Sequence, residues 1–211
     1  MNNIEEIREE NRKYFDGNAR IEGSDQVLFS PTKKYRIQTA EYKQTKLDVN
    51  WSVTTVEIYE HETGHCIFSF IVNHDLFVHG WLIKNNAEYL VCAEDIYGGQ
   101  TMIDLSNRRI ESYSPGADGF IATDYHLSPD GSILAVVGCY WACPYVLKFF
   151  RFDSPMQLPL PEFNEIGLTG KENDKINWVG NETIRFYNIK SGEQHFVKVV
   201  KGNPVQGLKT E

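Results

Sequence analysis

The stretch Ser128-Pro-Asp-Gly-Ser-Ile-Leu-Ala135 decides the fold, because it places a tight turn directly in front of a β-rich run. Its proline presets one backbone torsion, and Asp-Gly supplies the positive φ that a tight reversal requires. Other stretches repeat this plan of a polar turn of similar length followed by a strand: Ser30–Ile37, Lys84–Val91 and Val179–Phe186. The chain is therefore built from about four similar units.

The spacing of these units predicts the architecture. Their strands begin at Tyr35, Tyr89, Ile133 and Ile184, at intervals of 54, 44 and 51 residues. Propeller blades of four strands repeat every ~40 to 50 residues, so the spacing predicts an all-β fold, a small or partial β-propeller of about four blades. Turn residues separate the β-rich runs, as hairpins require. These runs are Tyr35–Tyr42, Val53–Glu60, Cys66–Val72, Phe77–Ile83, Tyr89–Ala93, Thr101–Leu105, Arg109–Tyr113, Ile133–Gly138, Tyr145–Phe152, Ile176–Val179, Thr183–Ile189 and Gln194–Val200.

The third unit resembles a known repeat. Tyr125–Val137, followed by the run Tyr145–Asp153, is similar to one repeat of the WD40-like and TolB-type β-propeller class. The resemblance implies that the Ser-Pro-Asp-Gly turn joins the first and second strands of a blade. The stretches Val137–Tyr145 and Ser154–Glu162 also resemble uncharacterised bacterial proteins, which carry no activity to transfer.

A short amphipathic helix is predicted before the β-rich part. Ile4, Ile7 and Phe15 fall on one helical face, and Asn3 is placed to cap the helix with Glu6 three residues on. We expect this helix to pack on the body as a lid or an arm. The predicted organisation is a helix over residues 1–16, a propeller-like domain over 19–202 and a tail over 203–211.

Composition and charge exclude several classes of function. The formal net charge is −8, with 21 Lys+Arg against 29 Asp+Glu, which argues against nucleic-acid binding. Solubility is the first explanation of this acidic charge, and a basic protein partner is the alternative. No apolar run reaches the ~18 residues of a membrane span, and no export signal is recognisable, so a cytoplasmic location is expected. The sequence carries no motif for a cofactor or a metal, and it does not indicate the oligomeric state.

The four cysteines have several interpretations. Cys66 and Cys92 stand singly in apolar strands, which predicts that both are packed in the core. Cys139 and Cys143 form a pair three residues apart, for which packing, a disulfide, and metal or redox chemistry all remain open. Without an export signal, reduced thiols are expected.

Large aromatic residues mark one predicted rim of the propeller. The loops between second and third strands are expected at residues 43–52, 95–100 and 139–144, on the same side as the loops between blades. These loops carry Trp51, Tyr97, Tyr140 and Trp141. Exposed Tyr and Trp provide a large contact area at low entropic cost, so these residues are the candidate partner-binding surface. The alternative is that Trp141 fills the central channel or covers the end of a blade.

Acidic and histidine residues provide an alternative site. Glu94 and Asp95 precede Tyr97 on the predicted rim, and Asp124 and His126 lie two residues apart in the aromatic strand before the third turn. Sequence neighbours alone cannot establish a catalytic geometry, and no nucleophile, phosphate-binding or zinc motif is present.

Two functions follow from the sequence. The first is a non-catalytic protein-interaction module that presents the aromatic rim to a protein partner, and the absence of catalytic motifs favours it. The second is a hydrolase or lyase with an acidic/histidine site in the propeller channel. Convergence of Glu94, Asp95, Asp124 and His126 in one pocket would favour the enzyme.

Overall fold

The computed structural model describes residues 2–15, 20–43, 51–116, 119–141, 145–168, 175–188, 193–199 and 209–210. Within these residues the chain forms one helix and sixteen strands. The helix is α1 (Ile4–Phe15), and the strands are β1 (Gln26–Phe29), β2 (Tyr35–Lys43), β3 (Ser52–Glu60), β4 (Cys66–Val72), β5 (His79–Lys84), β6 (Ala87–Cys92), β7 (Gln100–Asp104), β8 (Arg109–Tyr113), β9 (Phe120–Leu127), β10 (Ile133–Tyr140), β11 (Tyr145–Arg151), β12 (Glu162–Gly167), β13 (Lys175–Trp178), β14 (Thr183–Asn188), β15 (Glu193–Lys198) and β16 (Lys209–Thr210).

The strands form four antiparallel sheets of four strands each, in sequence order, within the described part of the chain. Blade 1 contains β1–β4, blade 2 contains β5–β8, blade 3 contains β9–β12 and blade 4 contains β13–β16. The first strands are neighbours where blades meet, because β5 contacts β9 and β9 contacts β13. This is a partial β-propeller, and the predicted fold class is confirmed.

The predicted turns join the first and second strands in the blades. At the third turn, the Ser128 hydroxyl accepts the Ile133 amide at 2.9 Å, and Gly131 has a φ of +68°. At the first turn, Ser30 accepts the Tyr35 amide in the same way, and Lys33 takes the position of the glycine with a φ of +60°. The two turns are therefore equivalent although only one contains Asp-Gly.

Three apolar clusters join the blades in succession. Cluster 1 lies between blades 1 and 2 and includes Ile58 and Leu90. Cluster 2 lies between blades 2 and 3 and includes Met102 and Leu134. Cluster 3 lies between blades 3 and 4, and Phe149 is completely buried in it. Successive side chains of a strand point to opposite faces of the sheet, so each strand contributes alternate residues to a cluster. This explains why apolar residues recur along the predicted β-rich runs.

The outer face of blade 1 has a different composition. Arg36 and Tyr59 are cross-strand partners there, with the guanidinium 4.6 Å from the ring centroid, and Tyr59 donates a hydrogen bond to Glu57 at 2.9 Å. Gln38 pairs with Glu57 on the same face. Val27 and Phe29, both 49% exposed, are the cross-strand partners of Gln38 and Arg36, so this face combines polar and exposed apolar side chains.

Three observed strands were not predicted: β1, β12 and β16. Strand β9 was anticipated only as the aromatic stretch around Tyr125, without limits. Strand β9 contains a register shift opposite Val137 and Gly138, which interrupts the alternation that periodicity detects. Strand β12 has an exposed and polar sequence, Glu-Phe-Asn-Glu-Ile-Gly, because it lies at the edge of its sheet. Lys209–Thr210, assigned from the sequence to a tail, pair with β15. Residues 16–19 and 200–203, around the predicted domain limits, lie outside the described residues.

Candidate functional site: an aromatic row beside the N-terminal helix

Three of the predicted rim residues form a continuous stack. The Tyr97 ring lies between the other two, with its centroid 6.5 Å from that of Trp51 and 5.9 Å from that of Trp141. The interplanar angles are 27° and 12°, so both contacts are stacked. We call Trp51, Tyr97 and Trp141 the aromatic row. It brings together loops from blades 1, 2 and 3 on one side of the molecule.

The loop that presents Tyr97 is rigidly hydrogen-bonded. The Asp95 carboxylate accepts the Tyr97 amide at 3.1 Å, and the Asp95 carbonyl accepts the Gly99 amide at 3.0 Å. A Cβ on Gly99 would lie 2.2 Å from that carbonyl oxygen, so this close approach requires glycine. Asn73, at the end of blade 1, donates to Asp95 at 3.0 Å and accepts the Ile96 amide at 2.9 Å. The loop is therefore locked to the neighbouring blade.

Trp141 occupies an unusual position at the end of β10. Its side chain is 69% exposed, and its φ is +27°. A positive φ is rare for a bulky residue and costs on the order of 1–3 kcal/mol. The register shift at Gly138, where a Cβ would meet the Ile121 carbonyl oxygen at 2.4 Å, lies just before it. This exposure excludes the alternative that Trp141 fills the channel or covers a blade end.

Helix α1 forms the opposite wall of a groove along the aromatic row. The groove has a volume of about 580 Å³. Its lining comprises Ile7, Glu10, Asn11, Trp51, Asn73, Asp95, Tyr97, Gly116, Gly119 and Trp141. The charged side chains among these described lining residues are Glu10 and Asp95, so the groove is acidic.

Polar contacts attach α1 to blades 1 and 2. The Arg8 guanidinium donates two hydrogen bonds of 2.8 Å to the Glu94 carboxylate, which is 1% exposed. The hydrogen bonding of Arg8 to the Glu94 carboxylate outweighs partial burial and raises the pKa of Arg8 above its ordinary value. Ser112 donates to Glu94 at 2.5 Å, and Asn11 donates to the Ile71 carbonyl at 3.2 Å. The predicted helix is confirmed, and it is a fixed part of the groove.

The cap of α1 differs from the prediction in one detail. The side-chain oxygen of Asn2 accepts the Ile4 amide at 3.2 Å and the Ser114 amide at 3.0 Å. The Asn3 carbonyl accepts the Glu6 and Ile7 amides. The side-chain cap thus comes from Asn2. Its hydrogen bond with Ser114, which follows β8 of blade 2, holds it in this position.

Tyr140 lies outside the aromatic row. Its hydroxyl donates to Glu165 at 2.9 Å, and its ring contacts Phe120 at a centroid distance of 5.5 Å. The Lys148 ammonium lies 5.2 Å from the same ring. Tyr140 and Trp141 are adjacent in sequence, but alternation at the end of a strand directs them to different surroundings.

The acidic and histidine candidates form two separate groups. Glu94 and Asp95 are both buried and hold α1 and the Tyr97 loop, respectively, and the Ser114 hydroxyl donates to Asp95 at 2.6 Å. The Asp124 carboxylate lies 3.0 Å from His126 Nε2 on β9. Burial opposes ionisation of Asp124, but the close His126 outweighs it and lowers the pKa of Asp124. No hydrogen bond links the two groups within the described part of the chain.

Cys66, Cys92 and Cys139 are free thiols, and Cys143 lies outside the described residues. Cys92 is buried, as expected, and Cys139, for which several interpretations were open, is also buried, whereas Cys66 is exposed. Core packing was therefore the wrong expectation for Cys66, because a register shift between Ile58 and Tyr59 pairs Cys66 with Tyr59 on the outer face of blade 1. Burial raises the pKa of the Cys92 thiol well above its usual range.

We expect a thiol-specific alkylating reagent to modify Cys66 in the native protein and to leave Cys92 and Cys139 unmodified. The reagent cannot reach a buried thiol, and burial also raises the pKa of Cys92, which lowers its fraction of the reactive thiolate. Peptide mapping after brief alkylation at neutral pH, compared with alkylation in denaturant, measures this difference. Native modification of Cys92 at the rate of Cys66 would contradict the packing of cluster 1.

Some residues of the groove were not predicted from the sequence. Asn73 lies between the aromatic loops, and Glu10 lies opposite them on α1. Neither residue belongs to a sequence motif. The one available signal was the helical spacing of Ile7, Glu10 and Asn11, which places these residues along one side of α1.

The chain has sequence similarity to a viral protein. No family model matches the chain. The uncharacterized protein R762 of Acanthamoeba polyphaga mimivirus is 26% identical over 182 residues, which cover 83% of this chain and 71% of that protein. This relative is viral, whereas the resemblance seen in the sequence was to bacterial proteins.

No helix of the described residues is long and apolar enough to cross a membrane.

Solved structures with the same architecture have low sequence identity. The periplasmic gluconolactonase PpgL of Pseudomonas aeruginosa is 15% identical with a TM-score of 0.54, and the match covers 87% of this chain and 52% of that protein. Hsv2p of Kluyveromyces lactis is 14% identical with a TM-score of 0.53, covering 87% and 59%. KlAtg21, solved in complex with the coiled coil of AgAtg16, is 10% identical with a TM-score of 0.53, covering 89% and 57%. The chain therefore shares the β-propeller fold and spans between half and three-fifths of these chains.

Proposed function

We propose that this chain is a non-catalytic protein-interaction module whose aromatic row contacts a protein partner. The observation that carries the proposal is Trp141, which is exposed, stacked on Tyr97 and held at a positive φ at the edge of a groove. Large exposed aromatics on rigid loops are typical binding hot spots.

The similar propellers support this proposal only at the level of the fold. KlAtg21 was solved with a protein partner, whereas PpgL is named a gluconolactonase. The enzyme alternative required convergence of the acidic and histidine candidates, and Glu94 and Asp95 instead have anchoring roles. The local geometry therefore favours binding over hydrolysis or lyase chemistry.

Substituting Trp141 by alanine is expected to abolish partner capture while changing the free energy of unfolding by less than about 0.5 kcal/mol. The side chain is mostly exposed, so its contacts are gained on binding, and loss of a hot spot costs about 2 kcal/mol or more of binding free energy. Affinity capture with the wild-type and variant proteins as baits, alongside thermal melts, measures both quantities.

Phe29→Ala is the matched control, because Phe29 is a 49% exposed aromatic residue on blade 1 outside the aromatic row. It should capture the same protein as the wild type. A partner retained by the Trp141 variant, or a large drop in its melting temperature, would contradict the proposed binding surface.

A further inference from the structure

The groove beside the aromatic row combines two features that recognise a cation. One wall carries stacked aromatic rings, and Trp141 at the end of the stack keeps an exposed ring. The opposite wall carries Glu10, whose side chain is exposed on α1. Aromatic faces attract ammonium and guanidinium groups, and a nearby carboxylate adds to this attraction.

The charge around the groove is acidic. Asp95 is engaged with Asn73, Ser114 and the Tyr97 amide, so its carboxylate has a structural role. Glu10 makes no ion pair within the described residues and is therefore the free carboxylate of the lining. On α1 the exposed residues Glu6 and Glu9 precede Glu10, and the exposed residues Arg12 and Lys13 follow it. The net charge of −8 keeps the potential around the molecule negative as a whole.

We infer that the groove binds an extended protein segment through a lysine or arginine side chain, whose cation lies on the Trp141 ring and is neutralised by Glu10. This inference rests on the proposed function and specifies the chemistry of the partner. An extended segment suits an open groove of about 580 Å³, which has room for several side chains. The anchoring of α1 by Arg8 keeps Glu10 in place before binding, which reduces the entropic cost.

The test uses fluorescently labelled hexa-arginine, hexa-lysine and hexa-glutamate peptides, with fluorescence anisotropy as the readout. The titrations are made at about 0.15 M salt, where unspecific attraction between exposed charges is largely screened. Both basic peptides should bind and hexa-glutamate should not. The Trp141→Ala variant should weaken binding about tenfold, as expected for loss of a partly desolvated cation–π contact.

A charge-reversal pair separates the groove from the general charge of the protein. Glu10→Lys should weaken binding of the basic peptides by about tenfold or more, since it places a like charge in the groove. Glu9→Lys changes the net charge equally but lies outside the groove lining, so its effect should stay below about twofold. Both positions are exposed and lie near the middle of α1, beyond the first and last turns where the helix dipole acts, and melting curves test whether both variants fold.

Each outcome decides the inference. Equal losses for the Glu9 and Glu10 variants, full binding by Trp141→Ala, or absence of binding by both basic peptides would overturn it. If partner capture depends on Trp141 while the basic peptides do not bind, the proposed function stands and the cationic specificity is wrong. If capture is independent of Trp141, the proposed function itself fails.

Discussion

Arg8→Ala is expected to lower the free energy of unfolding by about 3 kcal/mol, because it leaves the buried Glu94 carboxylate without its counter-charge. The remaining hydrogen bond from Ser112 does not neutralise that charge. The Arg8 side chain is 30% exposed, so water can reach Glu94 when α1 loosens in the variant. The loss of stability should therefore lie at the lower end of the range for breaking a buried ion pair. Urea denaturation measures the free energy directly.

Arg12→Ala is the matched control for this variant. Arg12 is an exposed arginine one turn further along the same helix, and its loss should change stability by less than about 0.5 kcal/mol. Arg8→Lys should retain the charge but lose the two-pronged geometry, giving an intermediate result. Equal stabilities for Arg8→Ala and Arg12→Ala would show that the Arg8–Glu94 pair does not hold the helix.

We also expect Phe149→Ala to destabilise the protein by about 3–5 kcal/mol, the usual cost of removing a buried aromatic side chain. Phe149 lies on β11 in cluster 3, is 0% exposed, and contacts Phe163 at a centroid distance of 6.2 Å. The cavity would open between blades 3 and 4, which are joined by cluster 3 and by the hydrogen bond that Trp178 donates to the His126 carbonyl at 3.1 Å. This is a large part of the ~5–15 kcal/mol that stabilises a typical domain.

The exposed residue Phe29 again supplies the control, because the same substitution there removes a half-exposed ring. Its cost should be below about 1 kcal/mol. Hydrogen exchange adds a second readout, since β13–β15 of blade 4 should lose protection before blade 1 in the Phe149 variant. A Phe149→Ala protein as stable as Phe29→Ala would contradict the packing of blades 3 and 4.

The groove connects these stability predictions to binding. The Arg8–Glu94 pair determines where α1 lies, and α1 supplies Ile7, Glu10 and Asn11 to the groove. Loss of Arg8 should therefore weaken peptide binding as well as stability, whereas loss of Phe149 acts on a distant interface. Sites that must be held in a fixed geometry depend on such supporting contacts.

The sequence alone determined the repeat and the blade count. Turns such as Ser128–Ile133 are stabilised by contacts among neighbouring residues, so the residue types reveal them directly. Lys33 at a φ of +60° shows that the same turn forms without glycine when the surrounding hydrogen bonds are kept. The aromatic strand around Tyr125 was anticipated, but its limits, Phe120–Leu127, were not, because its register shift depends on the partner strand.

The tertiary structure decided which candidate residues meet. Trp51, Tyr97 and Trp141 belong to three different blades, so their stacking depends on the angle and offset at which the blades pack. Local sequence also cannot show that Glu94 is buried under Arg8 of a distant helix. Turn chemistry acts over a few neighbouring residues, so it can be predicted from the sequence. The groove arises from contacts between residues far apart in sequence, and their geometry is set only when the apolar clusters between the blades pack together.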